Sequence, residues 1–410
     1  MRPQIVDFPV VTPKIQTGDA TKLYNAILNH LQRSSWNDTR NAKTLAWMVT
    51  GLIQTGSSNP PDWIPSVQTQ ATRAQSTERR FSRWLTNEYI TAQHVYTPLI
   101  TQALQEWGEY EFRLALDTSL IFETHCIIRI VVLYRGRAVP LVQTVIAHAS
   151  ATVSFEQLEA VLNTARAILR RVKRCKIIFL ADRGFADISL MQRLKDFGWS
   201  YRIRIKACFN IYSPDKQLLC KVGQVTLEPG QAKYYQNVRL TAKHFGLVHV
   251  AFARPEGVNE LWAVVSDEPT SAQTFVEYGW RFQIEECFLD DKSGAFNLED
   301  SGLRDAESLE RLLLVLAVTM LLLVSEGTQV VSSGSRRAVD AHWDRGLSYL
   351  KIGWRWVRQA ITVGTTFFEQ VALVGGDDPE PLGMRKRSGV TAAKAIAGLR
   401  GRTFAFRVFS

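Results

Sequence analysis

Asp117 and Asp182 each close a short apolar run, Leu114-Ala115-Leu116 and Ile177-Ile178-Phe179-Leu180-Ala181, and Glu285 lies 103 residues beyond the second of them. An ionisable residue at the end of an apolar strand stands at the carboxyl edge of a sheet, where open α/β sheets expose their sites. Taken singly, either Asp could be a turn former or a helix cap. The Glu has company. At about 100° per residue on a helix, Tyr278, Arg281, Glu285 and Lys292 fall within an arc of roughly 60° and form one polar stripe. An isolated stripe of this kind is ordinarily an ion-pair ladder on a helix surface; with two strand-end aspartates upstream it becomes candidate chemistry. Three carboxylates without a His or Cys cluster suit hard divalent cations such as Mg²⁺ or Mn²⁺. Two such ions about 4 Å apart activate an attacking hydroxyl and stabilise the leaving oxygen of a phosphoryl displacement. The chemistry implied is phosphodiester cleavage or transfer.

The elements that must position these residues are readable in the hydrophobic period. Helical spacing over 20–32, 44–52, 78–87 and 95–107, broken by Gly-Ser-Ser-Asn-Pro-Pro at 56–61, predicts a helical region over 1–110. From 111 the period changes. Runs rich in Val, Ile, Leu and Thr at 111–120, 125–134 and 138–148, the last two joined by Arg135-Gly136-Arg137, predict three strands. A helix opened by Ser154 with Gln157 as capping box, a strand at 177–181, a helix at 188–197 and a strand at 201–205 complete the order βββαβαβ. Residues 207–269 read as a β-rich insertion, and helices return over 274–292 and 303–324. The 13-residue apolar run at 312–324 is shorter than the roughly 20 residues a membrane-spanning helix needs and is predicted to be a core helix. The domains so predicted are 1–110, 111–206 with 270–330, 207–269 and a mixed basic region 331–410.

Charge narrows the partner. With 49 Lys+Arg against 39 Asp+Glu the chain carries +10, which favours a polyanion. Residues 166–206, around Asp182, hold 12 basic and 3 acidic residues, and 331–410 hold 13 and 6, whereas 1–110 hold only 10 and 8. A phosphate track is thus expected across the core and the C-terminal region. In the helical region, Arg79, Arg80 and Arg83 interleave with Phe81 and Trp84, a pattern that fits a DNA-binding helix or an amphipathic surface helix with solvated arginines. Five cysteines without a C-x-x-C pair signal neither a disulfide framework nor a zinc site. With no apolar signal segment over 1–20, a cytoplasmic protein with no membrane association is expected.

Tyr278-x2-Arg281-x3-Glu285-x6-Lys292 resembles the Y-R-E-K signature of the DDE transposases of the bacterial insertion-sequence-four class. Leu114-Ala115-Leu116-Asp117-Thr118-Ser119 and Leu180-Ala181-Asp182-Arg183-Gly184-Phe185-Ala186-Asp187 look like that family's first and second acidic motifs, so the resemblance spans roughly 75–325. It implies an α/β, ribonuclease H-like mixed sheet interrupted by a β-rich insertion. Asp117, Asp182 and Glu285 would hold two Mg²⁺ ions, with Mn²⁺ able to substitute, and Tyr278, Arg281 and Lys292 would grip phosphates. Trp262 would stack on a base flipped from the duplex; a core tryptophan is the competing reading. Arg183 would contact phosphate or pair with an Asp. The implied reaction is cut-and-paste transposition at terminal inverted repeats by strand nicking, hairpin formation and opening, and transfer to target DNA. A homodimer would synapse two ends on the bacterial nucleoid. Two other readings use the same residues: a ribonuclease H-like nuclease that only hydrolyses, and a transposase-derived DNA-binding protein without catalysis. The first leaves the Tyr/Arg/Lys stripe and Trp262 without a purpose, and the second leaves the intact carboxylate set without one.

Overall fold

The computed structural model describes residues 17–34, 36–68, 73–108, 110–172, 175–382, 396 and 398–406. Its helical layer comprises α1 (Thr17–Leu31), α2 (Thr39–Thr55), α3 (Pro60–Trp63), α4 (Ala74–Leu85) and α5 (Ala92–Ala103). Asp38 caps α2 by accepting the Arg40 N–H at 2.8 Å. The Pro-Pro pair expected only to break helix instead opens the short α3. Proline fits the first helical turn, whose N–H groups have no partner to lose.

Three antiparallel strands follow: β1 (Phe112–Ile121), β2 (His125–Tyr134) and β3 (Arg137–Ala147). The β2–β3 turn puts Arg135 at φ 49° and Gly136 at φ 80°, the left-handed pair that matches the twist of a tight hairpin. Next comes α6 (Phe155–Leu169), where the Ser154 N–H donates to Gln157 Oε1 at 2.8 Å, as the capping box predicts. Then β4 (Ile177–Ala181) runs parallel to β1, α7 (Ile188–Phe197) crosses over, and β5 (Ser200–Arg204) runs parallel to β4. The spatial order β3-β2-β1-β4-β5 is that of a ribonuclease H-like sheet.

The strands after 207 continue this sheet. They are β6 (Asn210–Tyr212), β7 (Leu218–Lys221), β8 (Gln231–Leu240), β9 (Phe245–Arg254) and β10 (Trp262–Ser266). Strand β10 pairs antiparallel with both β5 and β9, with Ala263, Val264 and Val265 buried, as a strand covered on both faces must be. The order runs on as β5-β10-β9-β8-β6-β7, and β11 (Arg400–Ala405) lies parallel on β8. Among the described residues the sheet has eleven strands, one of them supplied by the C-terminal region.

The helix predicted over 274–292 is segmented. It comprises α8 (Ala272–Gly279), a 3₁₀ turn over 280–282, α9 (Gln283–Leu289) and a π turn over 290–294. After it, α10 (Ala306–Ser332) runs for 27 residues, well beyond the predicted 303–324. It is long and apolar enough to cross a membrane, yet 94% of its most apolar window is buried inside the protein. This is the core helix the sequence predicts, clasped by α2, α4, α5 and α11 (Tyr349–Val363) and by β3. The α10–α11 crossing depends on two glycines. A Cβ on Gly327 would lie 2.0 Å from the Tyr349 carbonyl oxygen, and one on Gly353 would lie 1.9 Å from that of Leu323.

Candidate active site

Backbone register sets the two aspartates side by side. The last parallel pair of β1 with β4 is Leu116 with Ala181, and Asp117 and Asp182 are the next residues on each chain. Asp117 does not end its strand, as the apolar run suggested; β1 continues to Ile121 along β2, and only β4 stops. Over this edge lie α8 and α9, and their polar stripe closes on the carboxylates. Tyr278 Oη donates to Asp182 Oδ1 at 3.2 Å. Arg281 donates through Nη1 to Asp117 Oδ2 at 2.9 Å and through Nη2 to Glu285 Oε1 at 2.8 Å. The Thr118 N–H adds a bond of 2.8 Å to Asp117 Oδ1. Arg281 is 5% exposed, whereas the Glu285 side chain is 55% exposed, so the constellation opens to solvent on the Glu285 side.

Its electrostatics are those of crowded carboxylates. Burial pushes the Asp117 carboxyl above the usual range, Arg281 and the Thr118 N–H oppose this, and the charges of Asp182 and Glu285 add to it. Burial also pushes the Tyr278 phenol up to about 12, so it is a protonated donor at neutral pH. Burial penalises the Arg281 guanidinium, but at neutral pH the charges of Asp117, Asp182 and Glu285 oppose this and hold it charged. An all-oxygen donor set under like-charge repulsion fits a hard divalent cation. As the side chains stand, no three His, Cys, Asp or Glu groups among the described residues form a ready metal cage. Arg281 already spans Asp117 and Glu285.

The remaining predicted residues are dispersed. Lys292 leaves the stripe. The 3₁₀ and π turns break the constant rotation on which the 60° arc depended, and its Nζ donates to the Leu120 carbonyl oxygen at 2.6 Å. Arg183 is exposed and pairs with Glu260 at 2.8 Å rather than with an Asp. Trp262 is half-buried, edge-on to Tyr278 at 6.1 Å and tilted against Phe275 at 6.3 Å, so it borders the site. Arg79 and Arg83 project from α4 into solvent and Arg80 lies over Phe81; none is bonded to the carboxylate constellation. Part of the basic excess around Asp182 is paired. Lys176, Arg183, Arg193, Arg202 and Arg204 pair with Glu268, Glu260, Glu159 and Glu277, all outside 166–206. Exposed Arg170, Arg171, Lys195 and Lys206 remain as candidate phosphate contacts.

Two features escaped the sequence reading. Phe282, 43% exposed, stands edge-to-face with Tyr278 and under the Arg281 guanidinium at 4.8 Å. Its place next to Arg281 in the stripe was the available signal. Arg129, the one charge in the run 125–134, is buried and holds α9 and the π turn onto β2. It donates to Asp291 Oδ2 at 2.5 Å, Gln143 Oε1 at 2.8 Å and Cys287 Sγ at 3.3 Å. On the other side Arg202 ties α8 to β5 and β10 through Glu277, Glu268 and Ser266.

Three comparisons bear on this geometry. No curated protein sequence matches the chain significantly. The cryo-EM structure of a piggyBac transposase synaptic complex with hairpin DNA aligns over 91% of this chain and 86% of that chain, with 10% identity and a TM-score of 0.37. Residues 128–322 match the transposase DDE domain family, a span just under half of the chain that begins after Asp117. The stretch carrying Asp182, Trp262, Tyr278, Arg281, Glu285 and Lys292 is thus similar to a transposase DDE domain.

Proposed function

We propose that this chain is a DNA transposase of the insertion-sequence-four class, cutting and joining phosphodiester bonds at the terminal inverted repeats of a bacterial insertion sequence. The observation that carries the reading is the meeting of Asp117, Asp182 and Glu285 through Arg281 and Tyr278, largely within the stretch similar to a transposase DDE domain. Asp117, Asp182 and Glu285 would hold Mg²⁺ or Mn²⁺. When bound, a pair of such ions supplies activation of a hydroxyl nucleophile and stabilisation of the leaving oxygen.

The chain's own side chains supply the rest. Tyr278 and Arg281 present a phenol and a guanidinium, donors suited to phosphate oxygens. Trp262 and Phe282 offer aromatic surface beside them for a base taken out of the duplex. A site without a dedicated protein base admits water first and then a 3′-hydroxyl, as nicking, hairpin formation and opening, and strand transfer require. Two copies would synapse two ends in the bacterial cytoplasm, with α4 and the C-terminal region as further DNA contacts.

The test is cleavage of a labelled terminal-repeat duplex in Mg²⁺ by wild type and Glu285→Gln. The variant is expected to bind the duplex within about twofold of wild type by fluorescence anisotropy without divalent metal, and to yield no nicked product in Mg²⁺. Nicking at the wild-type rate would remove Glu285 from the site.

A further inference from the structure

Each proposed metal ligand is already engaged by a donor from the polar stripe: Asp117 and Glu285 by Arg281, and Asp182 by Tyr278. The Arg281 bridge is buried, 5% exposed, and both its Nη atoms point at carboxylates, while its Nε has no partner. Each Nη spends an N–H on a carboxylate, so a bidentate grip on a phosphate competes with those two bonds. A divalent cation likewise cannot approach Asp117 and Glu285 together while a cation lies between them.

We infer that Arg281 is an exchangeable placeholder: it keeps the site closed to divalent metal until a DNA phosphate draws it off Asp117 and Glu285. This rests on the transposase reading and adds an order of events to it. Free protein holds the three carboxylates bonded from within, by one guanidinium and one neutral phenol, without a bound ion. An incoming phosphate offers Arg281, and Tyr278 beside it, an alternative anion. Their departure exposes three converging carboxylates whose repulsion a metal then relieves. Metal binding and DNA binding therefore favour one another, and by linkage the coupling is the same in both directions. The consequence is restraint: metal-activated cleavage assembles only where a DNA strand is already seated.

Two measurements on the full chain test this. The first is Mn²⁺ binding without DNA, followed by the paramagnetic resonance signal of free Mn²⁺, for wild type, Asp117→Asn, Arg281→Gln, Arg281→Lys and the double variant of Arg281→Gln with Asp117→Asn. Arg281→Gln is expected to bind at least about tenfold more tightly than wild type, and the double variant to lose that gain. Arg281→Lys, charged but unable to bridge both carboxylates, should fall between. Should Arg281→Gln fail to melt cooperatively, Arg281→Lys decides: severalfold tighter binding supports the placeholder and equal or weaker binding overturns it. Equal Mn²⁺ affinity in Arg281→Gln and wild type, with wild-type binding still lost in Asp117→Asn, would sink the placeholder and leave the metal reading standing. No Asp117-dependent binding in any variant would sink both.

The second measurement is duplex affinity in millimolar Ca²⁺ against NaCl of matched ionic strength. General screening weakens DNA binding. The coupling instead predicts severalfold tightening by Ca²⁺ in wild type that disappears in Asp117→Asn. Tightening that survives in Asp117→Asn, or no tightening in wild type, would overturn the coupling.

Discussion

Arg129 and Arg281 make the same kind of bond within one layer of the molecule, and to opposite effect. Asp117 and Arg129 are direct cross-strand partners on β1 and β2, yet Arg129 turns to Asp291, and Asp117 is left to Arg281. In the Arg129–Asp291 pair both side chains are almost fully buried, at 1% and 2% exposure, and Gln143 and Cys287 take up further guanidinium bonds. Arg281 is shared between carboxylates exposed by 20% and 55% and keeps an unpartnered Nε. A buried pair whose bonds are all made is costly to disturb and serves as scaffold. A shared guanidinium facing half-open carboxylates can exchange partners. One arginine fixes α9 on the sheet; the other waits in the site that α9 carries.

The sharpest break of this comparison separates activity from stability. Glu285→Gln should lower strand cleavage by roughly 10³-fold or more, as removal of a single essential group commonly does, and leave the melting temperature within a few degrees. For Asp291→Asn the order reverses. Leaving Arg129 buried without its carboxylate should cost about 3–5 kcal/mol in urea unfolding, and Arg129→Met with Asp291→Leu should recover much of that loss. If Asp291→Asn were harmless to folding, the scaffold half of the comparison would fall.

Glu326 extends the series to a buried carboxylate with no guanidinium at all. It accepts the Phe368 N–H at 2.7 Å, and burial pushes its carboxyl up to about 7. Because the folded state holds the proton more tightly than the unfolded chain, stability is greatest below about pH 4.5 and falls as pH rises through about 7. Over that window the loss should be on the order of 3 kcal/mol. Glu326→Gln, which keeps an acceptor for Phe368, should flatten the profile in urea titrations run from pH 5 to pH 8. An unchanged slope would mean that another group carries it. The smallest effect is expected at the rim of the site: Trp262→Ala should nick normally but form hairpins severalfold less well, and normal hairpin yield on a sequencing gel would end the stacking role.

Local signals survived into the structure, whereas several features that depend on distant partners were not legible. The runs at 125–134 and 177–181 became β2 and β4 with unchanged ends, and α7 ended before Gly198 as the sequence indicated, because these features depend on neighbours in the chain. The stripe of Tyr278, Arg281 and Glu285 was legible because one helical turn or two separates its members. Lys292 was misplaced since nothing local announces the 3₁₀ and π turns that redirect it. The π turn is held by Asp291 accepting from Arg129, 162 residues away in sequence. The charge around Asp182 is reduced for the same reason: Glu159, Glu260, Glu268 and Glu277 pair with part of it from distant segments. Lys173 and Arg174, counted in that excess, lie outside the described residues, as do residues 1–16. Strand β11 was illegible because its partner β8 lies more than 160 residues upstream.

The central claim, that Asp117, Asp182 and Glu285 form one catalytic centre, is tested most directly by single-turnover cleavage of a terminal-repeat duplex in Mg²⁺. Wild type, Asp117→Asn, Asp182→Asn and Glu285→Gln would be compared at protein concentrations that saturate the DNA. The expected result is a free 3′-hydroxyl end from wild type and none from any of the three variants, all of them folded and DNA-bound. Wild-type cleavage by even one of the variants would contradict the claim.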